Sequence, residues 1–103
     1  NIDSLLKYKE VDGVMIGPYD ISGSYGVPGQ INHAKVIEAS KKVILACEKY
    51  GKSCGTQIAD PNKDNVSSFF DMGYTFLILG SDLFVLWKWS EKMNTLINSF
   101  NNK

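Results

Sequence analysis

Three short apolar runs, Val11 to Ile16, Ser53 to Ala59 and Tyr74 to Leu79, are each followed downstream by a segment with helical spacing. This alternation confines the fold more than any other feature of the chain. Strands that alternate with helices pair in parallel through right-handed crossovers. The runs are apolar on both sides, as expected when helices cover both faces of a sheet. The predicted order is helix–strand–helix–strand–helix–strand–helix, an α/β pattern. Three parallel strands make a small sheet whose edges need something to pair with, so the pattern reads as part of a larger α/β domain.

The helices carry their own signals. Ile2 to Glu10 reads as a helix end, with Ile2, Leu5 and Leu6 on one face. Asn32 is the expected N-cap of a helix running to about Tyr50, with Val36, Ala39, Val43, Cys47 and Tyr50 as its apolar stripe and Gly51 as its stop. Asp60-Pro61 is expected to cap and open the next helix, which ends at Gly73. The last helix is expected from about Leu83 to Phe100, with a stripe of Leu86, Trp89, Met93, Leu96, Ile97 and Phe100, before a tail, Asn101 to Lys103, that should fray. Between the first strand and the second helix, Gly17 to Asn32 has no periodicity and holds four glycines and two prolines. A loop this long in a compact domain is often functional.

Composition excludes several classes of function. With 103 residues, 44% of them hydrophobic, the chain can build one small core. Its 11 basic and 11 acidic residues cancel, which removes the electrostatic case for nucleic acid or an anionic membrane as partner. The apolar runs are too short to span a bilayer. No secretory signal is visible, and a cytoplasmic location is expected. The chain starts at Asn1 rather than Met, which suggests a cut or processed N-terminus. Cys47 and Cys54 read as free thiols, since a zinc site would need two further ligands and His33 is the sole histidine.

Two motifs fail on context. Ala46 to Ser53 fits a permissive phosphate-loop pattern, but it lies between a helix end and a strand start, the reverse of what phosphate binding needs. Asn65-Val66-Ser67 matches a glycosylation sequon inside a predicted helix and reads as chance. His33, at a helix start, reads as a capping or loop residue or as a catalytic group.

The candidate site is Gly17-Pro18-Tyr19-Asp20. A strand that delivers a carboxylate into a glycine-rich loop is how an α/β enzyme places a ligand at the C-terminal end of its sheet. Asp also suits an ordinary turn. Here Pro18 stiffens the backbone, and successive amides beside Asp20 can form an anion nest.

The stretch VDGVMIGPYDISGSYGVPGQINHAKV, with Gly51-Lys52, Gly55-Thr56-Gln57-Ile58-Ala59 and Phe76-Leu77-Ile78-Leu79-Gly80-Ser81-Asp82, resembles the HpcH/HpaI aldolase family of metal-dependent pyruvate aldolases. The resemblance implies a (β/α)8 TIM barrel, typically roughly 250 residues, of which this chain would hold the C-terminal three strand–helix units. Residues 1–103 would then be the C-terminal part of a single domain. The resemblance implies an aldehyde-lyase that cleaves 4-hydroxy-2-oxo acids to pyruvate and an aldehyde. Asp20 would be one of two carboxylate ligands of a divalent metal, magnesium or manganese, and the amides of Tyr19 and Asp20 would hold the pyruvate carboxylate. Gln57 stands where the family often has Leu facing the aldehyde half, and a polar side chain there suggests a more hydroxylated aldehyde. The second ligand, a Glu, would lie just upstream of Asn1, and the family's Arg and catalytic His earlier still. No catalytic residue is therefore expected within the chain, and alone it is expected to be inactive. The family also implies a homo-oligomer, with the last helix packing across a subunit interface or simply on the barrel exterior. The alternatives are a non-catalytic assembly or binding module, or a citrate lyase β-like member of the same superfamily.

Overall fold

A computed structural model describes residues 1–101. The elements are α1 (Ile2–Leu6), β1 (Gly13–Ile16), α2 (Pro18–Ser24), α3 (Ala34–Tyr50), β2 (Ser53–Ile58), α4 (Lys63–Met72), β3 (Phe76–Leu79) and α5 (Asp82–Asn101). The three strands form one parallel sheet in the order β1-β2-β3. Register pairs Ile16 with Thr56, and Ile58 with Leu79, so all three strands end at the same side.

Strand alternation divides the sheet into two unlike faces. Val14, Ile16, Cys54, Thr56, Ile58 and Leu77 turn toward the helices, and Ile16, Cys54, Thr56 and Ile58 are buried. With Leu6, Ile44, Ala46, Cys47 and Tyr74, the apolar members of that face make the core. Met15, Gln57, Phe76 and Ile78 turn the other way and are exposed. On that open face Phe76 lies across Gly55 so closely that a Cβ at Gly55 would overlap the ring. Glycine is required there by a close approach rather than by backbone conformation.

Four sequence expectations are corrected. The segment Gly17 to Asn32 is not without secondary structure: Pro18 at the first helical position opens the short helix α2. It has no apolar period to reveal it and contains Gly23. The cap of α3 is His33, not Asn32, and its Nδ1 accepts from the Lys35 amide at 3.2 Å. The cap of α4 is Asn62, not Asp60. Asn62 and Asn65 bond each other's backbone amides at 2.9 Å, a reciprocal capping box. The first helix stops at Leu6, well short of Glu10.

The two cysteines are free and buried, as expected. Burial, with Cys47 beside it, pushes the Cys54 thiol up to about 12, so it stays protonated and packs as a small apolar group. Tyr74 is also buried, which raises its phenol above the ordinary value.

The last helix departs from the rest. α5 has 20 residues and buries none of them. The radius of gyration is 17.6 Å, against about 13 Å for a compact domain of this length. The long axis is 63 Å, against 27 and 22 Å across, because a helix of this length, about 30 Å, projects from the body. Its ties to the body are slight. Lys88 Nζ lies 3.2 Å from Asp60 Oδ2, between two exposed side chains, where solvent screens the pair.

Candidate functional site

The C-terminal ends of the strands carry the residues singled out from the sequence. β1 ends at Ile16, and Gly17 caps α2 without a side-chain bond of its own. The Ile21 amide bonds the Gly17 carbonyl at 3.0 Å and closes the first turn. Tyr19 and Asp20 lie inside that turn, where backbone N–H groups have no acceptor within the helix. Asp20 is exposed and turns back over the helix start. Its Oδ2 would stand 3.0 Å from a Cβ placed on Gly17, so even an Ala at Gly17 would crowd the carboxylate. Asp20 has neither an ion pair nor a side-chain hydrogen bond among the described residues. An uncommitted carboxylate beside free amides suits a ligand that joins a cation to an anion.

The turn is held from beneath by two hydroxyls that the sequence did not single out. Ser22 is fully buried; its Oγ donates to the Tyr19 carbonyl at 2.6 Å and accepts from the Gly29 amide at 3.0 Å. That pair of bonds fastens α2 to the loop behind it. Thr56, also fully buried, donates from Oγ1 to the Ile16 carbonyl at 2.9 Å. The last carbonyl of β1 is thus fixed by the central strand just before the chain turns to Asp20. Neither hydroxyl belongs to a periodic pattern; both fall within the stretches that carry the family resemblance, which assigned a role to neither.

Gln57 follows Thr56 on the opposite face. Its Nε2 donates to the Gly80 carbonyl at 2.7 Å, while the Gly80 amide donates to Ile58 at 2.7 Å. Gly80 has φ +72 where β3 gives way to α5, a conformation that favours glycine. Successive residues of β2 therefore secure the turns on either side of it.

A cavity of about 570 Å³ opens at the C-terminal end of β2 and reaches between α3 and α4. Tyr19 and Gln57 both line it, with Asp60 and Phe84 near the strand ends and Ile37 and Phe69 from the helices. The structure thus brings Tyr19 and Gln57 to one cavity, while Asp20 is outside its lining. Among the described residues no group of three or more His, Cys, Asp or Glu side chains forms a metal cluster. Asp20 can supply one carboxylate ligand, and a divalent ion would need the rest from elsewhere. His33 is occupied as a cap. No described helix is long and apolar enough to cross a membrane.

The sequence profile of the family described as HpcH/HpaI aldolase/citrate lyase matches residues 1–88. A 5-keto-4-deoxy-D-glucarate aldolase from Salmonella paratyphi C (strain RKS4594) is 31% identical over 83 residues, 81% of this chain and 32% of that protein. The crystal structure of an HpcH/HpaI aldolase from Desulfitobacterium hafniense DCB-2 superposes with a TM-score of 0.83 at 31% identity, over 93% of this chain and 37% of the other. The crystal structure of citrate synthase SbnG gives a TM-score of 0.84 at 18% identity, over 99% of this chain and 41% of the other, a likeness of fold alone. The chain spans about a third of the length of the relatives it matches.

Proposed function

The chain belongs to the HpcH/HpaI aldolase/citrate lyase family, and from that premise we propose that it is the C-terminal part of a TIM-barrel aldolase acting in the cytoplasm. The intact protein would cleave a 4-hydroxy-2-oxo acid to pyruvate and an aldehyde. The observation that carries this reading is the turn at the end of β1, where the uncommitted Asp20 carboxylate stands beside the free amides of Tyr19 and Asp20.

In this reading Asp20 is a metal ligand, and the two amides hold the carboxylate of the 2-oxo acid. A divalent cation held there, magnesium or manganese, would supply positive charge against the enolate oxygen. The C3–C4 bond breaks and its electron pair moves to the 2-oxo acid half. The proton of the C4 hydroxyl goes to a base outside these residues, and C3 takes a proton to give pyruvate. Ser22 and Thr56 act by position, because they keep the amides of the α2 turn aimed at one point. Asp20→Ala in the intact protein is expected to abolish metal-dependent cleavage. Retained turnover with unchanged metal affinity would remove Asp20 from the site.

A second reading, a non-catalytic assembly module, is favoured by α5, which buries no residue, and by β1 and β3, which are both sheet edges. Under the aldolase reading the rest of the barrel pairs with those edges, and the homo-oligomer is carried over from the family resemblance. Calorimetry with manganese and oxalate separates the two: heat of binding that depends on both favours the aldolase, and its absence favours the module.

A further inference from the structure

We propose that Cys47 and Cys54 form a redox couple, a dithiol that a hydroperoxide converts to a disulfide tying α3 to the central strand. The proposal is independent of the aldolase reading. Both thiols are free and buried, and they belong to one core cluster. Cys47 lies near the end of α3, and Cys54 is the second residue of β2. The chain between them turns sharply: beyond the left-handed Gly51, the Lys52 amide bonds the Cys47 carbonyl at 2.8 Å. Cys54 shares the buried side of its strand with Thr56 and Ile58, so it faces back toward the helix the chain has just left. Besides burial, Cys47 itself opposes ionisation of Cys54, which sets the two thiols side by side.

The backbone holds Cys54 in place. Its amide donates to Thr75 Oγ1 at 2.9 Å, and the Thr75 amide donates to its carbonyl at 2.7 Å. Joining the sulfurs therefore calls on side-chain rotation more than on backbone movement. Access comes from the cavity between α3 and α4, whose lining includes Ser40 and Tyr74. Tyr74 adjoins the Thr75 that clamps Cys54. Burial raises its phenol, and the nearby Cys54 adds to that. A reagent little larger than water suits so closed a site.

Burial that keeps Cys54 protonated makes it the poorer nucleophile, so Cys47 reacts first. Its sulfur attacks one peroxide oxygen and the O–O bond breaks. The departing hydroxide takes the Cys47 proton as water, leaving a sulfenic acid. Cys47 then carries no charge to oppose ionisation of Cys54. The Cys54 sulfur attacks the Cys47 sulfur, the S–O bond breaks, and the second hydroxide leaves as water with the Cys54 proton. One peroxide is reduced to water while the two thiols are oxidised to one disulfide. A small thiol reopens it by exchange.

The test treats the reduced intact protein with hydrogen peroxide at neutral pH and maps it after trypsin. Cleavage after Lys49 and Lys52 separates the two cysteines. The expected product joins peptide 43–49 to peptide 53–63, lacks two hydrogen atoms, and is split by dithiothreitol. The urea midpoint is expected to rise on oxidation of the wild type and to stay unchanged in Cys54→Ala. Dimedone, which traps sulfenic acids, is expected to label Cys47 in Cys54→Ala and to leave Cys54 unlabelled in Cys47→Ala. The wild-type map needs no variant: thiols that stay free under peroxide overturn the couple, as does a cross-link that forms only in urea. Labelling of Cys54 in Cys47→Ala without labelling of Cys47 in Cys54→Ala overturns the assigned order of attack.

Discussion

α3 and α5 are the two long helices of the molecule, and they treat their apolar residues in opposite ways. α3 buries Val36, Ser40, Ile44, Ala46 and Cys47 against the sheet and α1. α5 is as rich in large apolar residues, with Leu83, Val85, Leu86, Trp87 and Trp89 in its first half, yet it buries none. Val36 is 1% exposed and Leu86 65%. Connectivity explains the contrast. α3 joins β1 to the parallel neighbour β2, and a crossover must pack back on the sheet to bring the chain round. α5 follows β3, an edge strand, and among the described residues no later strand draws it back. An apolar stripe shows that a helix needs a partner; the connection decides whether the partner is its own sheet.

The comparison can be broken by treating the two helices alike. Ile44→Ala in α3 removes a buried side chain and is expected to destabilise the chain by about 2–5 kcal/mol, read from the urea midpoint. A loss below 1 kcal/mol would mean that α3 is not the core helix. Gly51→Ala at the α3 C-cap, where φ is +66, should cost about 1–2 kcal/mol. The same truncation in α5, Leu86→Ala, should stay within about 0.5 kcal/mol for a dilute monomer. A larger effect that grows with protein concentration in sedimentation would sharpen the contrast, since it would show α5 meeting a second copy. Lys88→Ala, which removes the exposed tie to Asp60, should move the urea midpoint least of the four, by an amount that fades with added salt.

Alkaline pH gives a further test of the α3 side. Burial, with Cys47 beside it, lifts the Cys54 thiol from its ordinary 9.0 to about 12 in the folded state, so between those values the folded state holds a proton that the unfolded state gives up. Stability is therefore complete below about pH 9 and declines as pH rises toward 12. Melting curves from pH 7 upward should show the decline beginning near 9, and Cys54→Ala should flatten it.

The difference between the helices also marks what the sequence could reveal. Strand order, parallel pairing and the core helix were legible because they rest on apolar spacing, which Val36, Cys47 and the three runs carry plainly. The stripe of α5 was equally legible, but burial depends on a partner that spacing does not name. Ser40 and Ile44 lay off the expected stripe, since Ser40 is polar and is buried by bonding the Val36 carbonyl at 2.9 Å. At the site, the place of Asp20 could be read from a strand running into Gly-Pro. α2 could not, because seven residues with a proline and a glycine show no period. Ser22 and Thr56 gave no sign of their roles because their partners are backbone atoms, near in sequence for Ser22 and 40 residues away for Thr56.

The unburied face of α5 also bears on how these residues behave by themselves. Taken alone, they carry a helix of Leu, Val and Trp side chains held in water, the kind of surface that chaperones grip and proteases survey. Expressed without a cover for that face, they are expected to be lost to aggregation or proteolysis before the core itself unfolds.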